Sequence, residues 1–238
     1  MSNYPNPYEP MGDMLVAQAD AESRADFIAK TYAHLAAAIG AFIVLETILV
    51  NLPGIDRLVA TMVNSPASWL VVLGGFIAVS WIAENWANSN QSLSLQYLGL
   101  SLYVVAQAVL FVPLVYLSIQ FDPALVPTAA LATLALFGGL TATVFITRHD
   151  FSFLRGALVF GGMAGFAMIL CAALFEFQLG PIFTVAMIAV LCGYILYHTS
   201  NIVHHYRIGQ HVAAALALFA SVTLLFWYIL RLLAILRR

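Results

Sequence analysis

Charge is what this sequence has least of. Of its 238 residues, 8% are charged and 63% hydrophobic, and the mean hydropathy is +0.94. A water-soluble domain carries about 25% charged and about 45–50% apolar residues. The surplus apolar surface is too large for one soluble core, so the composition defines a membrane protein. There is no basic excess either: 9 Lys and Arg stand against 11 Asp and Glu. That leaves no patch to neutralise phosphates and excludes nucleic acid as a partner. Cysteine is nearly absent. Cys171 and Cys192 both fall inside apolar runs and read as small buried hydrophobes, not as a disulfide pair. The opening stretch MSNYPNPYEPMGD lacks the basic start and apolar centre of a signal peptide. It reads as part of a polar, flexible tail over 1–26, ahead of a membrane domain over 27–238 whose first hydrophobic helix serves as an uncleaved insertion signal.

What is present in quantity is long apolar runs. A span needs about 20 mostly apolar residues, because a helix rises about 1.5 Å per residue and the hydrocarbon is about 30 Å thick. Seven segments reach that length: 31–52, 67–87, 95–118, 124–146, 154–177, 182–203 and 212–236. The breaks between them carry turn chemistry, as in NLPGIDR, NSNQS, FDPALVP, TRHDFSF, QLGP and HHYRIGQH. The amphipathic DAESRADFIAK before the first span predicts a helix start along the membrane surface. Arg24, Lys30, Arg148, Arg155 and Arg207 fall on the side of the N-terminus and Arg57 on the other, which places the N-terminus inside. Seven spans then put Arg237 and Arg238 outside, unless the last segment re-enters.

The glycines of GGMAG, Gly161 and Gly165, have the small-xxx-small spacing that lets membrane helices approach closely, and Gly74, Gly75, Gly138 and Gly139 are read the same way. Pro113, in LFVPLVY, removes a backbone donor inside the third span and predicts a kink.

Charged side chains in hydrocarbon cost about 2.5–3.5 kcal/mol each on insertion scales, so they are the best pointers to function. Glu46 lies about 22 Å from the inner end of its span and Arg231 about 28 Å. Both are near the outer face, where they either pair or snorkel separately to water. Glu176 stands at a span end. Glu84 and His198 lie near the inner face, about 5 Å and 7 Å from their span ends. Contact between them would favour the imidazolium; otherwise the histidine is neutral and bonded to a carbonyl or tyrosine. His198, His204, His205 and His211 are irregularly spaced, with no adjacent Cys or Asp and no HExxH, so no metal or other cofactor is expected. No nucleophile arrangement points to an enzyme. Few polar residues sit at mid-depth; Gln107, Thr141, Thr143 and Ser221 are the candidates for a polar path.

ITRHDFSFLRGAL, LYHTSNIVHHY and LLFWYILRLLAIL, in this order and spacing, together with Pro113, resemble the Bax-inhibitor (TMBIM) family of membrane proteins. The resemblance implies an all-α integral membrane fold of seven transmembrane helices, six surrounding a central seventh. Some bacterial members are pH-sensitive calcium leak channels, with an aspartate in the sixth span and another in the seventh. Those motif positions are His198 and Ser221 here, so both carboxylates are missing, and calcium, which prefers carboxylate and carbonyl oxygens, is doubtful. The family's arginine near the end of the second span falls at 83–84, where this chain has Glu84. The resemblance thus suggests an inverted, proton-sensing pair of Glu84 and His198. TSNI after His198, and Ser221, are similar to the YccA-like bacterial branch, which has glutamate at the His198 position and modulates the membrane-anchored ATP-dependent protease FtsH. The expectation is a multi-pass protein of the bacterial inner membrane that binds FtsH and is slowly degraded by it; the alternative is a pH-sensitive calcium or other cation leak.

Overall fold

The computed structural model describes residues 14–89 and 92–237. Eight α-helices follow one another among them: α1 (Ala21–Val50), α2 (Ile55–Val63), α3 (Pro66–Ala87), α4 (Leu93–Phe121), α5 (Leu125–Thr147), α6 (Arg155–Leu174), α7 (Pro181–His204) and α8 (His211–Leu236). All but α2 are long and apolar enough to cross a membrane. Of the expected tail, residues 1–13 lie outside the described residues. Residues 14–20 lie against the bundle, and α1 takes in 21–26.

Polar residues at the breaks set the helix starts. The Asp20 side chain accepts the Ser23 amide at 3.2 Å, Ser65 that of Ser68 at 3.1 Å, and Ser92 that of Leu95 at 3.1 Å. Each satisfies one of the four amides that a helix start leaves without an internal partner. Pro66 and Pro181 open α3 and α7, where a missing N–H costs nothing. Arg148 ends α5 in the left-handed region, φ 53°, with its amide bonded to the Val144 carbonyl.

α8 is the central helix. It is the most buried span, with α4 next, and it packs on α1, α3, α4, α5 and α7, while α6 packs on α7 and α3. Phe42, Tyr103, Phe111, Phe219 and Trp227 interlock at the centre. The Phe111 ring meets Trp227 edge-on at 4.8 Å and Phe42 edge-on at 5.3 Å. Large apolar side chains on the periphery point away from the bundle, Ile182 at 86% exposure and Ile146 at 80% among them. Facing water these would be a liability; facing acyl chains they are at home.

Several sequence expectations change here. The stretch DAESRADFIAK forms no separate surface helix, because it continues into α1 as one 30-residue rod. Phe27 and Thr31 are buried in its first turns, so packing fixes its direction. α2 was not expected; Ile55, Val59 and Met62 form its buried stripe, against α3 and α4. Pro113 is buried inside α4, at the position of the expected kink. Gly161 and Gly165 do mark a close approach: an added Cβ would lie 3.1 Å from Val190 and 2.5 Å from the Met187 sulfur of α7. Gly74, Gly75, Gly138 and Gly139 face open space. The tightest backbone contact is at Gly99 instead, where a Cβ would stand 2.5 Å from the Ala83 carbonyl oxygen and 2.6 Å from the Ala87 amide. Both cysteines are free, and Cys171 is exposed on the outer face of α6.

Candidate functional site

His198 lies on α7, half-buried, between tyrosines of its own helix. Tyr194 stacks on it at 5.8 Å and Tyr197 meets it edge-on at 5.2 Å. Its Nδ1 is buried without a hydrogen-bond partner. Glu84 is exposed on α3, where its backbone carbonyl accepts from the Asn88 side-chain amide at 2.8 Å. Among the described residues, no ion pair or hydrogen bond joins Glu84 to His198. The suggested inverted pair is therefore not formed by direct contact. Similar depth did not bring the two together, because α3 packs mainly on α4 and α7 mainly on α8. Ser221, at the other motif position, is buried and donates to the Ala217 carbonyl of its own helix at 3.0 Å.

The expected outer-side pair of Glu46 and Arg231 is not formed either. Both Glu46 oxygens are buried with no partner, in a cavity between α1, α5 and α8. Arg231 lines a different cavity, of about 580 Å³, together with residues of α3, α4 and α6, and donates to the Leu179 carbonyl at 2.9 Å. The two residues project from α1 and α8 into separate spaces, so matching depth again did not mean contact.

The other histidines disperse. His34 stacks on Tyr97 at 5.4 Å and lies 5.0 Å from His211. His204 bonds the Ser200 carbonyl at 3.0 Å, and His205 pairs with Asp150 at 3.0 Å. No group of three or more metal-ligating side chains converges among the described residues.

The residues that the sequence reading missed are Asp150, Ser200 and Thr223. Asp150 and Ser200 clamp the α5–α6 connection onto α7. The buried Ser200 hydroxyl accepts the Phe151 amide at 2.9 Å and lies 3.3 Å from Asp150, whose other oxygen meets His205. The Ser152 amide donating to it, with His205 as a lesser cause, holds the Asp150 carboxyl down at about 2. Beside this clamp, Val16 donates to the Tyr206 carbonyl at 2.9 Å and Ile208 to that of Met14 at 3.1 Å. Arg24 ties the same segment down through the carbonyls of Val16, Ala17 and Ala19. Burial, and then Tyr197, push the Tyr206 phenol up to about 12. Deeper in, Gln107 of α4 donates to Thr223 of α8 at 3.1 Å. The only sequence signal for these contacts was polar residues within or beside apolar runs, which gives no partner.

Seven apolar helices, one of them central, with a clamped polar end, define an all-α multi-pass membrane protein. Residues 24–238 match the family described as "Inhibitor of apoptosis-promoting Bax1", and the chain belongs to this Bax-inhibitor family. It is similar to Bax inhibitor 1 of Schizosaccharomyces pombe, 33% identical over 122 residues, which are 49% of this chain and 45% of the relative. It is also similar to the BI1-like protein of Arabidopsis thaliana, 34% identical over 113 residues, 44% of this chain and 43% of the relative. Protein lifeguard 4 of Mus musculus is 32% identical over 117 residues, 47% of each chain. The matched part of the chain thus spans a little under half the length of these relatives.

Proposed function

We propose that this chain is a non-conducting, non-enzymatic regulator in a bacterial inner membrane, with its N-terminus in the cytoplasm, that binds the membrane-anchored ATP-dependent protease FtsH and modulates it. The observation that carries the first part is the seal around the middle of α8. Leu218, Phe219, Val222 and Leu225 are buried there. Ser221 and Thr223 bond carbonyls of their own helix, and the remaining polar link is Gln107 to Thr223. A conducting path needs polar groups in continuous succession, and along the middle of α8 the polar side chains Ser221 and Thr223 stand among buried apolar ones. FtsH as the partner rests on the YccA-like features, TSNI over 199–202 and Ser221. The test is co-purification of tagged full-length chain from native bacterial membranes under conditions that retain weak complexes. FtsH in the eluate supports the reading. Its absence, while other weak partners are retained, rejects it.

One observation favours a second reading, a pH-sensitive calcium or cation leak gated at His198: its ring nitrogen is buried and unpartnered. Flux from proteoliposomes, measured from about pH 5 to 8 around histidine's ordinary pKa of about 6.5, separates the two. The leak requires a pH-dependent flux that His198→Ala removes; the regulator predicts none.

A further inference from the structure

Glu46 is 6% exposed, and neither carboxylate oxygen has a hydrogen-bond partner. It lines a cavity of about 290 Å³ between α1, α5 and α8. An ionised carboxylate in an apolar interior is costly, so it either takes up a proton or is met by a counter-charge. The other polar groups of the lining say what kind of partner fits. They are the hydroxyls of Thr47, Thr133 and Thr223. Each already donates its proton to a carbonyl of its own helix: Thr47 to Ile43 at 2.7 Å, Thr133 to Ala129 at 2.7 Å, Thr223 to Phe219 at 2.8 Å. With Glu46 ionised, the cavity therefore presents acceptors and no free side-chain donor. Everything else in the wall is apolar, with the rings of Phe42 and Phe226 on it.

We propose that this cavity is a binding site for a compact lipophilic ammonium ion, with Glu46 as its counter-ion. An ammonium brings donors and a positive charge to an acceptor-only set, and its hydrocarbon body matches the walls and the aromatic faces. The volume is that of about ten waters at about 30 Å³ each, room for a body of that many heavy atoms. Calcium fits poorly, because one carboxylate and three hydroxyls fall short of the six to eight oxygens it takes. The site is independent of the regulatory reading above.

The experiment compares 1-aminoadamantane with 1-adamantanol, its neutral counterpart of the same shape, for binding to the purified full-length chain in detergent. The amine is expected to bind at least tenfold more tightly than the alcohol. Glu46→Gln, which keeps the shape and deletes the charge, is expected to erase that preference and leave the alcohol unchanged. The wild-type comparison stands without any variant. Equal binding of the two compounds, a preference that survives Glu46→Gln, or displacement of the amine by millimolar calcium would each overturn the proposal.

Discussion

At the scale of single residues, a buried polar side chain is defined by the partners it finds. Gln107 is fully buried, and its amide nitrogen meets Thr223 while its carbonyl oxygen meets nothing. Thr223→Val strips that amide of its acceptor, with an expected cost of about 1 kcal/mol, the scale of interhelical hydrogen bonds in membranes. Adding Gln107→Leu is expected to recover part of the loss, because the orphaned group goes too. Unfolding of the two single variants and the double variant in detergent reads this, and strictly additive losses would show that the bond carries no coupling. Asp150 offers a pH test. Its folded carboxyl sits at about 2, lowered by the Ser152 amide first and His205 after it, against about 3.9 in an unfolded chain. A depressed carboxyl contributes stability that is complete above the unfolded value and is lost as pH falls through the folded one. Amide protection at Phe151 and Ser152, taken relative to their intrinsic exchange rates, is therefore expected to fall between about pH 4 and about pH 2, and Asp150→Asn to remove that fall. An identical acid profile in the variant would reject the clamp. The sequence announced Glu46, Glu84, His198 and Arg231 as unusual, because charge in an apolar run stands out by itself. It did not announce their partners, because equal depth in a bundle leaves the rotation and neighbours of each helix open.

At the scale of helices, close approach is decided by backbone rather than by the number of small residues. The α3–α4 contact passes through Gly99, with Ala83 and Ala87 opposite, and the atoms that a methyl group would strike are backbone oxygen and nitrogen. Neither can swing aside as a side chain does, so Gly99→Ala forces the two helices apart. The expected loss is about 1–3 kcal/mol, seen as a lower melting temperature in detergent. Gly74→Ala and Gly139→Ala meet open space and are expected to be neutral or to gain up to about 1 kcal/mol from helix propensity. If all three variants melted together, the α3–α4 contact would not be what Gly99 serves. The spans themselves were legible, since a run of about 20 apolar residues has few other uses. α2 escaped because nine residues between turn signals carry too short a period to separate from loop. Its stripe of Ile55, Val59 and Met62 gains meaning only once α3 and α4 stand beside it. The open faces at Gly74 and Gly139 show the converse: small-residue spacing marks a permitted approach, and packing decides whether it is used.

At the scale of the whole molecule, the question is whether the last helix crosses or turns back. α8 starts next to the N-terminal segment, where Ile208 bonds the Met14 carbonyl, and Arg237 just beyond its end pairs with Asp122 in the α4–α5 connection. Its 26 residues extend about 39 Å at about 1.5 Å each, more than the hydrocarbon thickness of about 30 Å. The termini of the described chain therefore lie at opposite ends of the bundle, as seven crossings require. The polar clamp of Asp150, Ser200 and His205 shares the N-terminal end with Arg24, Lys30, Arg148, Arg155 and Arg207, while Arg57, Arg231 and Arg237 belong to the other half. That imbalance is what the proposed cytoplasmic N-terminus rests on. Single cysteines test both levels at once, in a background of Cys171→Ser and Cys192→Ser. His149→Cys, Ala124→Cys and Arg237→Cys are all at exposed positions. In intact cells, a membrane-impermeant maleimide is expected to label Ala124→Cys and Arg237→Cys and to spare His149→Cys until the membrane is opened. The reverse pattern would keep the seven crossings and invert the orientation. Protection of Arg237→Cys together with His149→Cys, with Ala124→Cys still labelled, would instead mean that α8 does not cross.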